Sequence, residues 1–350
     1  MAARSKVTRV GRVVLTLTLF TLMLCQGAPA LAQEGTGGAP PPPQAAAGVG
    51  GASWPLKWVE VSPMPTPRYS AGIAVSPQQK IYVIGGDNYS CVPLATVEEY
   101  DPGPNSWRTR ANLPTARWAL GAATGADRQI YAIGGLGGSP CGPTVLGTVE
   151  AYDPRFDRWT TRASMPTPRW ALGVVAGANG KIYAIGGEDR TAVLAIVEEY
   201  DPVSDTWTRK ADMPMPNRAF GSVSASNGKI YVMGGYGLND LVWEFDPVAD
   251  TWTQKASMPT GRDVFGAAEV KNGLIYAAGG FGPGGRLDTV DAYDPATDRW
   301  VPQTGLAGVR TGPAVAALHK VVYVIGGWGP FAGGSEGPVG LVEAAKTPNR

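Results

Sequence analysis

Four groupings of residues in this 350-residue chain have types and spacings that could do chemistry. Gly280-Phe281-Gly282-Pro283-Gly284-Gly285 satisfies G-x-G-x-x-G behind an apolar run, the pattern that cradles a pyrophosphate when a helix follows. DPGPN, DPRFD, DPVSD, DPVAD and DPATD, starting at Asp101, Asp153, Asp201, Asp246 and Asp294, each set two polar side chains four apart, as calcium ligands or an acid/base pair are set. Arg68, Arg117, Arg169, Arg218, Arg262 and Arg310 recur at near-regular intervals, as in a shared anion site. His319 is the single histidine and has no ligand partner in the sequence, and neither G-x-S-x-G nor H-E-x-x-H occurs.

The elements that must carry these groups decide among the readings. A Gly pair closes the runs KIYVIGG, QIYAIGG, KIYAIGG, KIYVMGG, LIYAAGG and VVYVIGG at Gly86, Gly135, Gly187, Gly235, Gly280 and Gly327. Six copies 45 to 52 residues apart mean a repeat architecture. Between them stand Tyr100-Asp101-Pro102, Tyr152-Asp153-Pro154, Tyr200-Asp201-Pro202, Phe245-Asp246-Pro247 and Tyr293-Asp294-Pro295. Trp107, Trp159, Trp207, Trp252 and Trp300 each follow the aromatic by seven residues.

Three motifs in fixed order from Trp58 to about Ala345 resemble kelch repeats. The resemblance implies an all-β fold, a six-bladed β-propeller with four short strands per blade. Small-residue runs such as SAGIAV and ALGAAT suit innermost strands crowded near the axis, and Ala178-Asn179-Gly180 suits the hairpin into the second strand. A sixth tryptophan, Trp58, has no Tyr-Asp-Pro before it, and the last unit ends after LVEAA with Ala345 where Tyr would stand. Trp58 therefore starts the fourth strand of the last blade, which closes the ring and removes the free edges.

Context now resolves the four groupings. LDTVDAY follows Gly285 at once as a strand, leaving no room for the helix a dinucleotide site needs, so the glycines serve strand ends and close approach. The Asp-Pro segments read as type I turns, present in every complete blade for the blade's own sake. Arginine at this position is common in kelch repeats, and Glu98, Glu150, Glu198, Asp291 and Glu343 share one third-strand position with Trp243 as the exception. Arginine to carboxylate contacts between blades are expected, without excluding arginines from a ligand site. No catalytic residue, cofactor or metal is expected. A copper enzyme such as galactose oxidase, on a secreted kelch fold, needs histidine ligands that are missing here.

Outside the repeats the chain is of another kind. Arg4, Lys6, Arg9 and Arg12 precede VVLTLTLFTLMLC, and Ala30-Leu31-Ala32 supplies small residues, so residues 1–32 read as a secretory signal peptide cleaved after Ala32. Leu24 before Cys25 argues against lipid attachment. Removing four basic and no acidic residues takes 30 against 29 to 26 against 29, which gives no electrostatic reason for a nucleic-acid partner. No later run approaches a membrane span. Residues 33–53, with Pro40 to Pro43 in a Gly/Ala background, read as a disordered linker, and residues 54–350 as the propeller. A secreted or periplasmic monomer is expected. Cys91 and Cys141, in equivalent loops of adjacent blades, are candidates for a disulfide.

The face bearing the loops between second and third strands and between blades is the expected site. There the arginines are followed by Tyr69, Trp118 and Trp170 where the family usually has a small residue. The position after the Gly pair varies as Asp87, Leu136, Glu188, Tyr236, Phe281 and Trp328. The resemblance implies a pocket of aromatic and acidic groups for a protein or glycan, with packing between blades as the competing role of the tryptophans. A sialic-acid-type sugar mutarotase on a six-bladed kelch propeller is the enzymatic alternative.

Overall fold

The computed structural model describes residues 55–89, 92–139, 142–331 and 334–348. The predicted signal peptide and linker, and the pair Cys91 and Cys141, lie outside the described residues. What is described is all-β, with six antiparallel four-stranded sheets. Blade 1 comprises Gly72–Val75, Ile81–Ile84, Val97–Asp101 and Ser106–Arg110. Blades 2 to 5 repeat the order, with innermost strands Gly121–Thr124, Gly173–Ala176, Gly221–Ser224 and Gly266–Glu269. Blade 6 takes Ala314–Leu318, Val321–Ile325 and Val342–Lys346 from one end of the chain and Trp58–Val61 from the other, in the register Trp58↔Ala345.

The period-2 pattern of each strand reads out as layers. The second strands are buried throughout, while the fourth expose alternate residues to solvent and keep the tryptophan half-buried. Apolar clusters lie between successive blades, for example Ala123, Tyr131 and Ile133 of blade 2 against Leu172, Val174 and Ile182 of blade 3. Innermost strands neighbour one another in chain order, and that of blade 6 neighbours that of blade 1. Crowding there explains the leading glycines: a Cβ on Gly121 would lie 2.1 Å from Val174 Cγ2.

Inter-blade hydrogen bonds recur around the ring at its rim, in its middle and around its axis. At the rim, every blade tryptophan donates its indole N–H to a carbonyl of the preceding blade, Trp107 to Ser62 at 2.8 Å and Trp58 to Thr304 at 2.9 Å among them. In the middle, the second glycine of each pair, at φ 99 to 108°, donates to a carbonyl of the next blade's entry segment. The series runs Gly86 to Arg117, Gly135 to Arg169, Gly187 to Asn217, Gly235 to Arg262, Gly280 to Arg310 and Gly327 to Arg68, all at 2.8 to 3.0 Å. Around the axis, six residues form a cyclic belt: Ala119 N–H donates to Ser70, Ala171 to Ala119, Ala219 to Ala171, Val264 to Ala219, Gly312 to Val264 and Ser70 to Gly312. All six have φ between 48 and 64°.

The Asp-Pro segments are turns, and they do more than turn the chain. Their first Asp accepts from the backbone two residues on, as Asp101 does from Gly103 at 3.0 Å. Their last residue, Asn105, Asp157, Asp205, Asp250 or Asp298, sits at φ 51 to 56° and accepts an amide of the preceding blade, for example Ala111 N–H to Asp157 at 2.8 Å. The tyrosine of the motif donates to the same atom, Tyr152 to Asp157 at 2.6 Å.

The arginines divide five to one. Arg68, Arg117, Arg169, Arg262 and Arg310 are buried and pair with Glu98, Glu150, Glu198, Asp291 and Glu343. The carboxylate belongs to the blade that the arginine leads into, so the ion pair lies within one blade. The contact between blades is made instead by the arginine carbonyl. Burial pulls Arg68 and Arg117 down to about 10 against the opposing effect of Glu98 and Glu150, and both remain cationic at neutral pH. Arg218 is not the sixth member, contrary to the sequence reading. Asn217 holds that register, its amide donating to Gly234 O at 2.8 Å, and Trp243 replaces the carboxylate of the same blade.

Deleting residues 54–62 removes the strand that completes blade 6. The melting temperature should fall by more than about 10 °C on the scale of a few degrees per kcal/mol for a domain of this size, with association through the freed edge. Deleting residues 33–52 should do neither, and equal behaviour of the two truncations would contradict the closure. For the buried pairs, Glu198→Leu should cost about 3–5 kcal/mol by stranding Arg169, whereas Arg169→Met with Glu198→Leu should cost less. Urea midpoints of wild type, both single variants and the double measure the coupling.

Candidate functional site

The belt organises one mouth of the axial channel. Each belt residue is preceded by a mouth residue: Tyr69, Trp118, Trp170, Arg218, Asp263 and Thr311 in blades 1 to 6. Each of these bonds through its backbone to the residue after the blade's Gly pair, giving Tyr69 with Asp87, Trp118 with Leu136, Trp170 with Glu188, Arg218 with Tyr236, Asp263 with Phe281 and Thr311 with Trp328. Both residues of each pair are thus held by backbone geometry, and only the side chains differ. Below the belt the channel encloses about 410 Å³, lined by the innermost strands and by Leu120, Leu172, Phe220 and Phe265.

The side chains form two unlike halves. From blade 6 to blade 3 runs an aromatic arc, with ring centroids 4.8 Å apart for Tyr89 and Trp328, 5.4 Å for Trp328 and Tyr69, 6.4 Å for Tyr69 and Trp118, and 6.1 Å for Trp118 and Trp170. Trp328 and Tyr69 are buried, Trp118 and Trp170 half-buried, and Tyr89 and Tyr236 exposed. In blades 3 to 5 stand Glu188, Arg218 and Asp263. The Arg218 guanidinium lies 5.4 Å from the Trp170 ring and 4.8 Å from the Tyr236 ring, and its Nε is 2.6 Å from Glu188 Oε2.

Burial sets the protonation of the three mouth carboxylates. Asp87 is raised by burial, partly offset by donors from Tyr89 N–H at 2.7 Å and the Tyr69 hydroxyl. Glu188 is raised by burial with Arg218 opposing. Asp263 is pushed up to about 6 by burial, with Arg218 again opposing. Among the described residues no group of three or more His, Cys, Asp or Glu side chains is placed to hold a metal ion.

Of the residues singled out in the sequence, Tyr69, Trp118, Trp170, Arg218, Asp87, Glu188, Tyr236, Phe281 and Trp328 come together at the mouth. Arg68, Arg117, Arg169, Arg262 and Arg310 do not: their guanidinium groups point into the blades, and only their backbones approach the mouth. Asp263 was missed. Its signal is its register, one residue after Arg262, where Trp118 follows Arg117. His319 lies in a turn away from this mouth, at φ 55°.

The chain matches the KLHDC2/KLHL20/DRC7 Kelch-repeats domain family over residues 53–235 and 161–327. It is 29% identical over 132 residues to Kelch-like protein 35 of Mus musculus, covering 38% of this chain and 21% of that one. It is 32% identical over 141 residues to an F-box/kelch-repeat protein of Arabidopsis thaliana, covering 39% and 36%. The matched stretch is thus about a fifth to a third of the length of these relatives. The solved structure of YjhT is similar with a TM-score of 0.64 and 18% identity, covering 79% of this chain and 95% of that one, a likeness of fold alone. With the family match spanning all six Gly-pair repeats of this ring, the chain belongs to the kelch-repeat family of β-propellers.

Proposed function

We propose that this protein is an exported, non-catalytic binding module that takes a protein or glycan ligand at the belt mouth. The observation that carries the reading is the run of half-buried indoles, Trp118 and Trp170, continuing into the stacked Arg218. Indoles held by backbone pairing in a partly open ring offer a stacking surface at little entropic cost. Export rests on the signal-peptide reading of residues 1–32.

A sugar mutarotase is the second reading, and one observation favours it. Glu188 and Asp263 flank Arg218 with raised pKa values, as an acid and base for ring opening need. Their field does not suit a sialic acid. Two carboxylates, Glu188 and Asp263, act on the one guanidinium at this mouth, and that guanidinium is already paired with Glu188.

Thermal-shift screening against neutral, acidic and amino oligosaccharides and a peptide library finds the ligand class. Faster exchange of anomers by NMR would establish the enzyme, and binding without it the module. Trp118→Ala and Trp170→Ala should each weaken the selected ligand by more than about 1 kcal/mol while barely moving the unfolding midpoint. A loss of roughly 3–5 kcal/mol of stability with affinity intact would instead make both tryptophans packing residues.

A further inference from the structure

We propose that the mouth selects a cation, and that the Asp263 carboxylate in its charged half receives it. The inference deepens the binding reading and rests on it. The other two carboxylates are already engaged: Asp87 accepts from Tyr89 N–H and Tyr69, and Glu188 holds Arg218. Asp263 accepts no hydrogen bond and makes no ion pair among the described residues, although its backbone is fixed on both sides by Phe281 at 2.9 Å. A half-buried carboxylate in a rigid frame without a donor is the group a ligand would complete.

Arg218 shows what the surroundings accept. Its guanidinium is stacked near Trp170 and Tyr236 and closed by Glu188, so an intramolecular cation already uses aromatic faces and a carboxylate here. Arg218 is also the charged group that acts on Asp263, and it opposes the effect of burial there. The geometry resembles half of an occupied cage with a second carboxylate left open. An anionic ligand would have to strip Arg218 from Glu188 and approach Asp263. A cation avoids both costs and meets instead the Arg218 charge, which Glu188 already pairs.

Proton and cation then compete for one carboxylate. With Asp263 near 6, the ionised fraction rises about tenfold between pH 5 and pH 7, and affinity for a cation should follow it. Stability moves the opposite way. A carboxylate raised on folding takes up a proton in the native state, so stability falls as pH climbs from about 4 to about 6 and stays lower above. Asp263→Asn should therefore melt higher than wild type at pH 7.5 and show less advantage at pH 4.5, which also reports that it folds.

Benzamidinium, benzamide and benzoate share a shape and differ in charge, so their affinities for the whole propeller isolate the charge preference. Calorimetry should find benzamidinium at least tenfold tighter than benzamide, with benzoate weakest. Asp263→Asn should weaken benzamidinium at least tenfold, remove its pH dependence and leave benzamide unchanged. Equal binding of the three probes, tighter benzoate, an unaffected Asp263→Asn variant, or no binding of any probe at millimolar concentration overturns the proposal. Trp118→Ala separates the two failures. If it weakens all probes alike while charge preference is absent, the mouth binds and only the cation assignment falls; if it affects none, the mouth is not the site.

Discussion

The cyclic belt of six backbone hydrogen bonds is the constraint on which the rest of this propeller turns. Each link joins two different blades, and the link from Ser70 to Gly312 joins the first to the last. It demands a left-handed conformation at every member, which glycine supplies at Gly312 but Val264 adopts at φ 48°, an outlier for a β-branched residue. Strain of about 1–3 kcal/mol at such a site persists only where the surroundings over-determine it. Bonds on both sides, the Gly-pair contact outside it and the packed Phe265 next to it do so here. Uniform backbone is what leaves the mouth side chains free to differ.

Blade 4 shows how interior and surface chemistry are coupled through that backbone. Elsewhere the residue that leads into a blade sends a long cation inward to a carboxylate. In blade 4 both partners are replaced together, Asn217 for arginine and Trp243 for the acid, so no buried charge is stranded. The Asn217 side chain satisfies the local amides of Arg218 and Tyr236 instead, at 2.9 and 3.0 Å. The arginine of this blade stands one position later, and that single step moves a guanidinium from the interior to the mouth. The charged half of the mouth is centred on the one blade that lacks a buried pair.

Repeats make most of this architecture legible before any coordinates. Gly pairs, Tyr-Asp-Pro and tryptophan fall in a fixed order, and the unmatched Trp58 and Ala345 do sit opposite each other in blade 6. Roles that depend on register to one residue were harder to read. Arg218 looks like a slightly late ring member by residue type, although Asn217 stands at the ten-residue spacing from Trp207, and the Gly187 hydrogen bond to Asn217 confirms which of the two neighbours is equivalent. The last residue of each Asp-Pro segment reads as a turn residue because its partner, an amide of the preceding blade, is some forty residues away. Asp263 is an ordinary acid in sequence, and its lack of a partner is a three-dimensional fact.

The strand Trp58–Val61 finds its partner only when Val342–Lys346 exists, so closure cannot precede synthesis of the far end of the chain. At about 5–20 residues per second, synthesis between the two takes roughly 15–60 s, long compared with the formation of any single blade. Throughout that wait a short strand with unpaired edges is available to wrong partners. Its composition suits the delay: Lys57 and Glu60 are charged and exposed around the apolar positions, a pattern that discourages edge-to-edge pairing between chains. The seam that completes the ring is therefore also the pairing that chain order delays longest, and the charges beside it disfavour association through the waiting edge.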